Sequence, residues 1–240
     1  MGHLNMKKGF TLAEVLVTMG IVGLISVLTI PAIMKDYKNR VLVSSLEKTY
    51  SQLSDATKAI MAEEMAESLY KTRLATNNRK CGTDDAEGPC YFLTKYFKTT
   101  KVGCGTKAFS SDNVCLGDIY QNLDGTLKTK INNSDKDGQY EVVTTFGYCV
   151  QTTNGATICG GYNSANGIPT YIIDTNGPAE PNIAGRDLFT FDLQADGTVA
   201  DYGGLARTPE DCGKINVDGF WGWSAGCLNK VMQAGWRMNY

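Results

Sequence analysis

One carboxylate stands inside the first apolar stretch of this chain. From Phe10 to Met34 there are 25 residues, and Glu14 is the only charged one. An acid at membrane depth costs roughly 2.5–3.5 kcal/mol unless it meets a partner or lies near the interface, so it marks a function. The chemistry open to it is ion pairing, and in the first helical turn the macrodipole favours its negative charge. The other residues that could do chemistry lie far downstream. Eight cysteines, Cys81, Cys90, Cys104, Cys115, Cys149, Cys159, Cys212 and Cys227, all follow residue 80. Two segments are dense in oxygen ligands, Asp174 to Asp187 and Asn133 to Gly138. The one histidine, His3, precedes the apolar stretch, so the remainder cannot build a Ser-His-Asp or Cys-His site. Ser45-Leu46-Glu47-Lys48 fits S-x-x-K by spacing alone, without its companion motifs. There is no phosphate-binding loop.

The element that positions Glu14 is a helix. At about 1.5 Å per residue the 25 residues span roughly 37 Å, enough to cross a hydrocarbon core. Lys7 and Lys8 precede it with no nearby acid, which predicts a cytoplasmic start and an exported remainder. A cleaved secretory signal would have a shorter apolar core of about 7–15 residues with small residues at its far end. This run is longer and ends without such a site. Pro31 removes a backbone donor and is expected to kink or locally melt the helix. Met1 and Met6 are both open as the initiator; with Met6, Met1 to Asn5 would be a start-site extension.

The ordered set Met6-Lys7-Lys8-Gly9-Phe10-Thr11-Leu12-Ala13-Glu14, running into the apolar helix, resembles the cleavage and methylation motif of type IV pilin precursors and type II secretion pseudopilins. The resemblance is specific over Lys7 to Pro31 and only architectural beyond. It implies cleavage between Gly9 and Phe10 by prepilin peptidase and N-methylation of Phe10. It also implies that Glu14 pairs with the methylated amine of a neighbouring subunit and so sets register. Pro31 matches a proline common in that helix. The implied partners are other pilin or pseudopilin subunits, an inner-membrane assembly platform and the membrane itself.

Beyond the membrane the helix is expected to continue to about Tyr70. Val43, Leu46, Tyr50, Leu53 and Ile60 recur at three- and four-residue spacing, with Thr57 completing the stripe. Polar Thr57 and Glu64 interrupt a coiled-coil seam, so the stripe is expected to pack on a sheet. The expected organisation is a leader at 1–9, a transmembrane and assembly helix at 10–34, its amphipathic continuation at 35–75, and an exported β-rich domain at 76–240. The fold class is α+β and pilin-like: a long N-terminal helix on an antiparallel sheet with disulfide-stapled loops.

Eight cysteines without C-x-x-C spacing, on the exported side, read as disulfides rather than a metal site. One pair follows from a turn. Thr153-Asn154-Gly155 lies between two strand-like runs. A two-residue Asn-Gly turn would place Cys149 and Cys159 on different faces. A three-residue loop with Gly155 left-handed pairs Thr152 with Ala156, and so Cys149 with Cys159. Cys81–Cys90, Cys104–Cys115 and Cys212–Cys227 are the simplest completion. Further strands are expected at Glu141–Phe146, Thr170–Asp174, Leu188–Leu193 and Thr198–Tyr202, the last two joined at Asp196-Gly197. A helical spacing runs from Cys227 to Trp236. Cys81 to Asn133 reads as mostly loop with a short helix at Tyr91–Phe97.

Some major pseudopilins bind calcium near the sheet, so the resemblance raises calcium for Asp174, Asn176 and Asp187, which offer hard oxygen ligands. The competing reading is that Asp174 and Asn176 make Asx turns around Gly177, with Asp187 either pairing with Arg186 or capping backbone donors. Asn133 to Gly138 mimics an EF-hand start, but Thr144 stands where the bidentate acid belongs.

From Phe10 onward the chain carries 21 basic against 25 acidic residues, net −4, which argues against nucleic acid as a partner apart from the four lysines between Lys95 and Lys107. The leading reading is a non-enzymatic filament subunit of a type IV pilus or a type II secretion pseudopilus. It sits singly anchored in the inner membrane with its C-terminal domain outside the cytoplasm, then enters a periplasmic or cell-surface filament. The alternative is a membrane-anchored extracytoplasmic binding domain that does not polymerise. An exported enzyme ranks last.

Overall fold

Thr11 opens a helix, α1, that runs from Leu12 to Glu63. A computed structural model describes residues 9–76, 86–107, 111–130, 148–163, 167–204, 207–214 and 219–240. The chain divides into two units, residues 1–40 and 41–240. In the first unit the described part of α1 is exposed nearly throughout. It is long and apolar enough to cross a membrane, with mean hydropathy 2.3 in its best window. Helix continues through Pro31 without local melting, because a proline removes only one donor of the ladder and the turns on either side remain closed.

In the second unit, α1 buries Val43, Leu46, Leu53, Thr57 and Ile60, with Tyr50 half-buried. They pack on a six-stranded antiparallel sheet of order β1-β4-β5-β6-β7-β8. Its strands are β1 (Thr99–Val102), β4 (Tyr148–Thr152), β5 (Thr157–Asn163), β6 (Ile168–Asp174), β7 (Leu188–Leu193) and β8 (Val199–Asp201). Strands β2 (Ile119–Gln121) and β3 (Lys128–Lys130) form a separate pair. Alternation divides the large sheet's side chains cleanly. Val150, Ile158, Tyr171, Ile173, Phe189 and Phe191 join the core shared with α1 and with α2 (Gly88–Tyr96). Cys149, Cys159, Ile172 and Leu188 face the other way, into a second core with Leu116 and Tyr120. Both faces are covered, which is why β6 and β7 read as nearly unbroken apolar runs.

Thr57 has a reason to sit in the seam. Its hydroxyl donates to the Gly197 carbonyl at 2.7 Å, in the turn between β7 and β8. A coiled-coil partner would offer no such acceptor.

Three expectations need correction. Helix α1 stops at Glu63, not near Tyr70: Met65 takes a left-handed φ of 49°, and the Ala66 N–H reaches back to the Met61 carbonyl, closing the helix end as glycine usually does. The segment read as mostly loop contains β1, whose four residues pair with the distant β4, and the three-residue strands β2 and β3, which pair with each other. The short helix begins at Gly88, three residues earlier than expected, with Pro89 in its first turn. The strand expected at Glu141–Phe146 and the EF-hand-like segment lie outside the described residues.

Candidate functional site

Gly9 and Phe10 precede α1 in an exposed, non-helical stretch, and Phe10 is 89 % exposed. The helix start is a reciprocal cap. The Thr11 hydroxyl accepts the Glu14 N–H at 3.2 Å, while Glu14 Oε2 accepts the Thr11 N–H at 2.8 Å and the Thr11 hydroxyl at 2.9 Å. Other polar side chains of this half satisfy themselves on their own helix. Ser26 donates to the Val22 carbonyl and Thr29 to that of Ile25. Among the described residues Glu14 has hydrogen bonds from Thr11 but no cation beside it, and the stretch before it is exposed. Pro31 lies far along the same helix and does not meet Glu14.

The cysteines form covalent staples in the second unit. Cys149 and Cys159 are directly opposed in the β4–β5 ladder and joined at an S–S distance of 2.05 Å; Gly155, at φ 89°, permits the three-residue loop that this register requires. Cys104 bonds Cys115, and Cys212 bonds Cys227 at the start of α3 (Cys227–Gln233). Cys90 is disulfide-bonded; Cys81 lies outside the described residues.

The structure gathers Asp174, Asn176 and Asp187 into one loop between β6 and β7. Asp174 and Asp187 are fully buried. Asp174 Oδ1 accepts the Asn176 N–H at 3.2 Å, an Asx turn, and Oδ2 accepts the Tyr120 hydroxyl. Asp187 accepts the Asn182 N–H at 2.6 Å and the Ile183 N–H at 2.5 Å. Burial, reinforced by the Asp187 charge, pushes the Asp174 carboxyl well above its usual range; burial also lifts Asp187, to about 6. The carboxylates do not fit a calcium site, because each of their oxygens already faces a hydrogen from the chain.

Sequence reasoning missed two buried groups. Tyr120 sits in a three-residue strand and reaches Asp174 across 54 positions. Asp201 accepts the Gly226 N–H at 3.0 Å and the Asn229 N–H at 3.1 Å, capping α3 from β8, and burial raises its carboxyl to about 6. Alternation alone would have pointed Asp201 inward, but nothing in its neighbourhood names a backbone partner. Of the four lysines in the basic patch, Lys95 binds Glu63 and Lys101 binds the Val114 carbonyl, which weakens the patch as an anion site.

A long N-terminal apolar helix, packed in its second half on an antiparallel sheet with disulfide-bonded loops, makes this a pilin-like α+β protein. Residues 4–30 match the family model of the prokaryotic N-terminal methylation motif, the signature of type IV pilins and pseudopilins. That motif belongs to substrates of prepilin peptidase, a structural and not an enzymatic class, and with the apolar helix it fits a membrane-anchored pilin. No curated protein and no solved structure matches the chain.

Proposed function

We propose that this chain is a structural subunit of a type IV pilus or a type II secretion pseudopilus. Prepilin peptidase cuts between Gly9 and Phe10, and Phe10 is then N-methylated. The subunit waits in the inner membrane with its sheet domain outside the cytoplasm. An assembly platform lifts it into a polymer of like subunits, held by the N-terminal helix. The observation that carries this reading is the solitary carboxylate of Glu14, three positions into a helix whose first half, as far as Met34, leaves fifteen large apolar side chains from Phe10 onward exposed. Lipid can cover those side chains but cannot compensate Glu14, whereas the methylated amine of a second copy's Phe10 does. The sheet edges support the same reading. The Asn113 side chain donates to the Val102 and Gly103 carbonyls at the end of β1, and Tyr50 donates to the Val199 carbonyl in β8. Each of these contacts occupies a carbonyl at a sheet edge, which supports polymerisation through the helix over growth by strand addition.

Glu14→Gln and Glu14→Ala are expected to leave membrane insertion and cleavage intact and to abolish incorporation into filaments. An assembly assay in which mutant and wild type incorporate equally would overturn the proposal.

A further inference from the structure

The loop from Asp174 to Asp187 has the composition of a cation site and the geometry of something else. A hard cation needs six to eight oxygens with lone pairs turned inward at about 2.3–2.6 Å, and its affinity rises with the number of charged ligands. Here the two buried carboxylates are turned to donors, and the third acid of the loop, Glu180, is exposed. Asp174 takes the Tyr120 hydroxyl and the Asn176 N–H; Asp187 takes the Asn182 and Ile183 N–H groups. Asn176 presents its amide nitrogen to the Ala179 and Glu180 carbonyls at 2.8 and 3.0 Å, so those oxygens are used as acceptors too. The buried oxygens left without a partner, Thr175 Oγ1, Asn176 Oδ1 and Asn182 Oδ1, are all neutral. Among the described residues no group of three or more acidic, cysteine or histidine side chains could hold a metal.

Tyr120 is the donor that comes from outside the loop. Its ring is fully buried, and its hydroxyl also accepts the Gly117 N–H at 3.1 Å. The adjacent backbone is tied to the same loop: the Gln121 N–H donates to the Asn182 carbonyl at 3.0 Å, and the Ala184 N–H to the Gln121 carbonyl at 2.9 Å. Strand β2 thus meets the loop through main chain at Gln121 and through side chain at Tyr120.

We propose that this chain closes its β6–β7 loop with its own donors in place of a cation, and that Tyr120 is the positioning residue that pins the loop to β2. Closure of this loop is then independent of divalent cations, whatever their concentration beyond the membrane. The inference stands apart from how the N-terminal helix is used, since it concerns only the second unit.

The test uses the full chain in detergent, with calcium chloride at about 1 mM or with EDTA. The wild type is expected to melt at the same temperature in both. Tyr120→Phe lowers Tm by about 3–6 °C in both, and hydrogen exchange at the Asn176, Asn182 and Ile183 amides accelerates beyond that of β4. Asp174→Asn keeps an acceptor for the Asn176 N–H and offers its amide hydrogens to the Tyr120 oxygen, so it retains a Tm within about 2 °C of wild type. A calcium-dependent rise in the wild-type Tm that Asp174→Asn removes would overturn the proposal in favour of a cation site. Unchanged Tm and amide exchange in Tyr120→Phe would overturn the role given to Tyr120.

Discussion

The two halves of α1 share a backbone and differ in what surrounds them. From Phe10 to Met34, fifteen large apolar side chains are exposed; from Val43 to Ile60, Leu46, Leu53 and Ile60 are fully buried. Burying such a side chain is worth about 1.5–3 kcal/mol, so the second half gains its stability inside its own domain and the first half must find it elsewhere, in lipid or in other helices. The polar residues divide in the same way. Ser26 and Thr29 bond carbonyls of their own helix, whereas Ser45 and Thr57 donate to Thr175 and Gly197 in the sheet domain. Helix alone therefore does not tell an anchor from a scaffold. The pattern around the helix does: apolar on all sides in one half, a single stripe in the other.

Substitutions that strike one half and spare the other should break or sharpen this contrast. Leu53→Ala is expected to cost about 2–5 kcal/mol in urea unfolding of the sheet domain, whereas Leu24→Ala leaves that midpoint unchanged. Equal effects would mean that the first half also packs on the domain. Next in size is a pH dependence confined to the second unit. Burial raises Asp201 from 3.8 to about 6, so between those values the folded state binds more protons than the unfolded chain. The contribution of Asp201 to stability is fully present below about pH 4 and is lost as pH rises to about 6, by roughly 3 kcal/mol at 1.36 kcal/mol per pKa unit. Asp187 adds a slope of the same sign. Asp201→Asn should flatten its share of the slope in urea midpoints measured from pH 4 to 7, and an unchanged slope would contradict the assignment. Thr57→Val strands the Gly197 carbonyl and is expected to cost about 1–3 kcal/mol by the same measurement. The smallest effect belongs to the first half. Thr11→Ala removes the cap and should raise hydrogen exchange in the first turn of α1 by a factor corresponding to about 1 kcal/mol, with no change in the unfolding of the sheet domain.

Much of this division was legible from residues 10 to 60, because apolar periodicity is a local property and both halves display it over many turns. The Cys149–Cys159 register was legible for a similar reason: a three-residue loop counts out the ladder by itself. The end of α1 was not, since Met65 adopts a conformation that glycine or asparagine would have announced. Strand β1 escaped because Thr99 to Val102 carries lysine and threonine with no apolar alternation, and its pairing is dictated by β4 some fifty positions away; β2 and β3, which pair with each other, are three residues each and too short to show a period. Asp201 and Tyr120 escaped because their partners are a helix start and a loop carboxylate supplied by distant segments. At the N-terminus, the residues that could do chemistry were visible at once, because Glu14 contrasts with everything around it.

Processing at Gly9–Phe10 is what separates a filament subunit from a plain anchor. The direct measurement is the mass and N-terminal sequence of the protein recovered from membranes of cells that process it. The expected product is a chain beginning at N-methyl-Phe10. A chain that retains Lys7 and Lys8 would contradict it and favour an anchored domain that never polymerises.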